Sequence, residues 1–151
     1  MAGAYTDPMN AKRILVGGLV AGLVMAILDA VTNAALFGAA WEAAYGALGL
    51  PTKNVGIPIF WTLFDIAGGV VIAWLYAAML PRFGPGMKTA IYAAGVEWLL
   101  VHLTLYSHLV DHVFPATALL GTSVGELASA LIGGAIVRKM YIEDSAVASR
   151  A

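Results

Sequence analysis

Apolar residues run along this chain in four long stretches separated by short polar clusters. The stretches cover Ile14 to about Gly38, about Ile57 to Leu80, Thr89 to Val110, and Ala116 to Val137. A hydrocarbon layer about 30 Å thick takes about 20 helical residues to cross, and every stretch reaches that length. Strand periodicity is missing: Gly69-Val70-Val71-Ile72-Ala73-Trp74-Leu75 does not alternate apolar with polar residues as a barrel strand must. Backbone groups in lipid have to be satisfied inside their own segment. The pattern therefore predicts an all-α, four-helix transmembrane bundle, a single membrane domain over residues 1–151. The ends, residues 1–11 and 142–151, are small and polar and are expected to be mobile tails.

Lysine and arginine set the expected orientation. Lys12 and Arg13 precede the first stretch, Arg82 and Lys88 lie between the second and third, and Arg138, Lys139 and Arg150 follow the fourth. Lys53 stands alone on the other side. The positive-inside rule then puts both termini and the loop Pro81 to Lys88 in the cytoplasm. The first apolar run is too long for the 7–15-residue core of a signal peptide and reads as a retained helix. Pro81-Arg82-Phe83-Gly84-Pro85-Gly86 reads as a tight turn. The longer connection from Ala39 to Gly56 has room for a short interfacial helix, with Trp41 and Tyr45 as headgroup anchors.

Composition narrows the function classes. Hydrophobic residues make up 61% and charged residues 11% of the 151 residues, against about 45–50% and about 25% in soluble domains. That leaves no length for a separate catalytic domain. A net charge of −1 offers no basic surface to nucleic acid. Without cysteine, thiolate metal sites and thiol catalysis drop out. Gly121-Thr122-Ser123-Val124-Gly125 lies inside an apolar stretch rather than at a nucleophile elbow. Gly84-Pro85-Gly86 lacks the lysine pattern of a phosphate loop. No enzyme activity and no catalytic residue are expected.

Small residues recur every fourth position. The first stretch carries Gly18, Gly22, Ala26, Ala30, Ala34 and Gly38, the fourth Gly121, Gly125, Ser129 and Gly133, and the second Gly69, Ala73 and Ala77. Lipid tails are as apolar as leucine, so close backbone packing between small residues drives helix association in a membrane. The stripes serve either the bundle itself or docking onto other membrane subunits or a second copy of the chain.

Each stretch also carries one acid: Asp29, Asp65, Glu97 and Glu126. An ion at that depth costs about 2.5–3.5 kcal/mol on insertion scales, so each acid should face the interior and find a partner or stay protonated. At 1.5 Å per residue from the nearest basic residue, Asp29, Asp65 and His102 stand about 24, about 25 and about 21 Å deep. Glu126 stands about 18 Å and Glu97 about 13 Å deep on the same count, a vertical spread. Asn33, Trp61, Trp98 and Tyr106 lie one turn from an acid or from His102 and share its face. Three readings stay open. The acids lock the bundle by hydrogen bonding to Asn33, Ser129, Thr32 or His102; they form a proton or cation pathway; or a metal or tetrapyrrole binds. His108, Asp111 and His112 resemble an i,i+4 helical metal pair, although an ordinary solvated helix end explains them equally. No cofactor is expected, but haem or chlorophyll at His102, or a metal at His108 and His112, stays open.

Trp74-Leu75-Tyr76-Ala77-Ala78-Met79-Leu80-Pro81-Arg82-Phe83-Gly84-Pro85-Gly86-Met87-Lys88-Thr89-Ala90, with Gly17-Gly18-Leu19-Val20-Ala21-Gly22-Leu23-Val24 before it, resembles a group of small bacterial four-span integral membrane proteins. The resemblance implies a multi-pass protein of the bacterial cytoplasmic membrane and brings no activity, cofactor or site residue with it. The expected role is non-enzymatic: an accessory subunit docking to other membrane subunits, as in an energy-converting complex. The alternative is a small proton-coupled transporter or channel using the intramembrane acids.

Overall fold

The computed structural model describes residues 9–51 and 54–141, so Lys53, Arg150 and the tails 1–8 and 142–151 lie outside the described residues. Every regular element within them is helical: α1 (Ala11–Val31), a π-helical turn (Thr32–Leu36), α2 (Gly38–Ala47), α3 (Gly56–Phe83), α4 (Met87–Leu105), α5 (Ser107–Val110) and α6 (Ala116–Met140). Three of these are long and apolar enough to cross a membrane: α1 with its π turn, α3 and α6. The third stretch does not qualify. Its helix α4 is 19 residues long and carries Lys88, Glu97 and His102.

The expected boundaries shift in four places. Helix α1 starts at Ala11, because the Asn10 side chain accepts from the Arg13 N–H and caps it. Its far end does not run straight to Gly38. Thr32 and Asn33 turn their side chains back onto the Leu28 and Asp29 carbonyls, which competes with the helical ladder. The ladder widens to an i→i+5 bond from the Phe37 N–H to the Thr32 carbonyl, the pattern of a π turn. Helix α3 continues through Pro81 and stops only where Gly84, at φ 71°, takes a left-handed conformation. The Gly84 N–H then bonds back to the Leu80 carbonyl, a helix ending that favours glycine. The expected span from Thr89 to Val110 breaks at Tyr106, so α4 and α5 are separate.

Contacts between helices run in antiparallel register. A β-carbon on Gly18 would lie 2.5 Å from Val70 Cα, and one on Gly22 would lie 2.5 Å from Ile66 Cα. Gly69 meets the backbone of Gly18 and Gly22 from the other side. On the second seam of α1, Gly133 meets Met25, Ser129 bonds Asp29, Gly125 meets Thr32 and Gly121 meets the Phe37 ring. The α6 stripe is thus taken up by α1, the π turn and Phe37, and the α1 stripe as far as Ala26 is buried. Ala30 and Ala34 are exposed. Leu15, Leu19, Leu23, Ile27 and Val31 form the exposed apolar face of the same helix.

Packing differs between the two ends. Ile72, Ala73, Tyr76, Ala90, Ala93 and Val137 form the buried core, at the end where Asn10 and Tyr141 meet. There the Tyr141 hydroxyl accepts from the Asn10 N–H, the Tyr76 hydroxyl accepts from the Gly86 N–H, and the Tyr76 and Tyr141 rings meet at 6.0 Å. Toward the other end, α3 has no buried residue before Gly68. Trp41 and Tyr45 of α2 clasp Phe114 with ring centroids at 5.4 and 5.9 Å.

Gly22→Leu is expected to lower thermal stability in detergent by about 1–3 kcal/mol or more, because overpacking has no room to relax against backbone. Gly95→Ala, where an added β-carbon meets nothing within 4 Å, should instead be neutral or raise stability by up to about 1 kcal/mol. Equal melting temperatures for the two variants would contradict the assigned seam.

Candidate functional site

Where the tight core ends, five ionisable side chains gather. Asp29 from α1, Asp65 from α3, Glu97 and His102 from α4, and Glu126 from α6 line one cleft with Met25, Trp61, Phe64, Trp98, Val101 and Ala130. One carboxyl from each of these helices thus faces a common space. Counting residues from the helix ends treats side chains as points on the axis, whereas each leans toward the N-terminus of its helix. Helices α1 and α4 run opposite to α6, so the leans of Asp29 and His102 bring them toward Ser129 and Glu126.

Two of the carboxyl groups are matched. Ser129 donates its hydroxyl to Asp29 Oδ2 at 2.9 Å, at the position where the α6 stripe has serine in place of glycine. His102 Nε2 lies 3.0 Å from Glu126 Oε2, within ion-pair reach but off the line of a straight hydrogen bond. The His102 ring is 1% exposed and held on three sides. Its Nδ1 lies 2.7 Å from the Trp98 carbonyl, which can only accept, so Nδ1 carries a proton. Trp98 stacks on the ring at 4.6 Å and Tyr106 tilts against it at 5.7 Å. Trp98 is itself fixed by its Nε1–H bond to the Ser123 carbonyl. The contact of Nε2 with the Glu126 carboxyl joins α4 to α6.

Glu97 and Asp65 have no such partner. Glu97 is 8% exposed and accepts no hydrogen bond. Its Oε1 rests over Gly68, where a β-carbon would come within 2.7 Å of it. Asp29 Oδ1 is likewise buried without a partner. The space between these groups is about 40 Å³, room for roughly two or three water-sized occupants. Among the described residues, no lysine or arginine lines it.

The remaining sequence candidates fall elsewhere. Asn33 bridges the Asp29 carbonyl and the Trp41 indole N–H, tying α2 to α1 and not entering the cleft. The helical pairing of His108 with His112 does not form: α5 ends at Val110 and His112 stands at φ 52°, which takes the two rings off a common helix face. His108 packs on Phe114, and Asp111 and His112 are exposed. Among the described residues, no three histidine, aspartate or glutamate side chains stand close enough together to hold a metal ion. An axial bond from His102 to haem iron or chlorophyll magnesium would first have to displace Glu126 from Nε2. Sequence reasoning missed Phe64, Val101 and Gly68 as neighbours of the acids. Only the spacing Trp61-x-x-Phe64-Asp65 signalled an aromatic wall. Compared with protein-family models, with curated proteins and with solved structures, the chain has no match.

Ser129→Ala removes the hydroxyl from Asp29 and leaves both carboxyl oxygens without a donor. An unmatched buried acceptor costs about 1–3 kcal/mol, and a loss of that size is expected in denaturation of the detergent-solubilised protein. Ser107→Ala, at an exposed site bonded only to its own turn, should change little. No loss in Ser129→Ala would remove Asp29 from the α1–α6 seam.

Proposed function

We propose that this chain is a bacterial cytoplasmic-membrane protein of four spans that takes up and passes protons through its intramembrane carboxyl groups. Its topology reading rests on the meeting of the chain ends. Asn10 before α1 touches Tyr141 after α6, so the chain returns to the side on which it began. An even number of crossings is needed for that, and three would leave the ends on opposite sides. Helix α4, below the length and apolarity of its neighbours, is then the fourth crossing, with Glu97 and His102 turned inward. Lys12, Arg13, Arg82, Lys88, Arg138 and Lys139 gather at the end where the termini meet, which favours the cytoplasm for it.

The observation that carries the function is the convergence of one carboxyl from each long helix on one cleft with a single histidine. If all four carboxyl groups ionised, one imidazolium would balance one of them. Ions without counter-charge in a membrane interior are costly. The cluster is consistent with holding protons, and His102 Nε2 stands 3.0 Å from the Glu126 carboxyl. A space of about 40 Å³ suits protons and a few waters better than a drug-sized molecule. A second reading, docking to other membrane subunits as an accessory component, draws support from Ala30 and Ala34. They extend the α1 stripe and remain exposed. The rest of the stripes is taken up within the bundle.

In sealed vesicles containing the purified protein and a pH dye, an imposed potassium diffusion potential should drive proton uptake above protein-free controls. Asp65→Asn and Glu126→Gln should each reduce that rate at least tenfold, while Asn33→Ala, outside the cleft, should keep it. Wild-type rates no higher than empty vesicles would overturn the proton reading. A defined hetero-complex in native mass measurement after gentle extraction would then favour the docking role.

A further inference from the structure

The cleft offers more acceptors than protons alone call for, and they face one point of entry. Glu97 is more than nine-tenths buried and accepts no hydrogen bond, Asp29 Oδ1 has no partner, and Asp65 beside them is also unmatched. Glu126 is held by His102. Glu97, Asp65 and the free Oδ1 of Asp29 therefore face the same small space. The walls between them are aromatic: Trp61, Phe64 and Trp98. The way in lies along α3, which has no buried residue before Gly68. Trp61 and Phe64 line the cleft while 48% and 38% exposed. With Phe60 they form a contacting row of rings on the flank of the bundle, with centroids 5.2 to 6.0 Å apart.

We propose that the cleft takes the primary ammonium head of an amphiphilic amine, whose tail lies along Phe60, Trp61 and Phe64 on the flank of α3. The inference rests on the proton-exchange reading of the same carboxyl groups and names the substrate class exchanged there. An ammonium head brings N–H donors to a cleft where Glu97, Asp65 and Asp29 Oδ1 lack them, and charge-assisted bonds of that kind are the strong ones. Aromatic faces beside the carboxylates favour a cation over a neutral alcohol. A space of about 40 Å³, enough for roughly two or three water-sized groups, suits the compact –NH3+ better than the bulkier trimethylammonium head. Charge balances on entry: the amine arrives as R–NH3+, and one carboxylic acid of the cleft releases its proton.

Tryptophan fluorescence of the full chain in a non-ionic detergent, titrated with n-octylamine, tests the assignment. A saturable change is expected, with about one proton released per amine bound in weak buffer. Octyltrimethylammonium should need at least tenfold more, and octanol should give only the linear drift of micelle partitioning. Glu97→Gln and Asp65→Asn should weaken octylamine at least tenfold. Trp61→Ala, at a half-exposed position that the fold does not need, should weaken it several-fold and keeps the test open if an acid variant fails to fold. Equal saturation by octylamine and octyltrimethylammonium, or none by either, overturns the proposal. Vesicle proton uptake measured without amine separates the two readings. Uptake without octylamine saturation removes the amine alone, and octylamine saturation without uptake removes the proton pathway alone.

Discussion

At Gly18, Gly22 and Gly69 the backbones of α1 and α3 meet with no side chain between them, and the position of every functional group follows from that contact. In lipid there is little to gain from pressing leucine against leucine, so helices are held by the length and closeness of their van der Waals contact. Glycine allows the closest approach, and a strip of it fixes rotation as well as distance. Once α1 is set against α3, its other face meets α6 in steps of about four residues, from Met25–Gly133 through Asp29–Ser129 to Thr32–Gly125. A rotation of α1 by one residue would offer Leu28 or Ala30 to Ser129 in place of Asp29. The one register that packs is also the one that gives Asp29 a donor.

Residue size then explains why the bundle closes at one end and opens at the other. Below the polar layer, α3 presents Gly68, Gly69, Ala73 and Ala77 to its neighbours, and all are buried. Above it, the same helix carries Phe60, Trp61, Leu63 and Phe64, all exposed, and no glycine between Gly56 and Gly68. Along that stretch α3 buries no residue. The cleft is the gap left where small residues give way to large ones, and the acids sit at that boundary. Burial on one side strips them of water, while the gap on the other gives them an opening.

Much of this was legible in the residues. The helices, the small-residue stripes, the acid on each long helix and the stacking of Trp98 and Tyr106 on His102 follow from spacing on a 3.6-residue helix. The apolar excess reads directly as membrane-spanning helices, three of which are long and apolar enough. What spacing did not convey is which faces meet. A stripe looks the same whether it packs within the bundle or against a partner, and only the coordinates of Gly18, Gly121 and Gly125 assign it. A count of residues from the basic ends gives depth along each helix but does not show that the acids line one cleft. The break after Leu105 and the π turn at Thr32 escaped because they arise from side chains competing for carbonyls. That competition leaves no apolar signature.

A polar layer that only locks helices together should be fully matched, since each buried acceptor left without a donor costs about 1–3 kcal/mol. This layer is not. Ser129 and His102 serve Asp29 and Glu126, while Glu97 and Asp65 face the cleft with nothing to accept from. The chain holds donors elsewhere to show what matching looks like: Thr122 bonds the Ala118 carbonyl, Thr89 the Gly84 carbonyl, and Trp98 the Ser123 carbonyl. Spreading the acids one to a helix keeps the insertion cost of each span low, but assembly then draws four carboxyl groups to one place with one histidine among them. Replacing Asp65 by leucine would relieve that repulsion and extend the apolar wall of Trp61 and Phe64. A bundle needing only rigidity would gain from such a change, so the unmatched pair is the feature that packing alone does not account for.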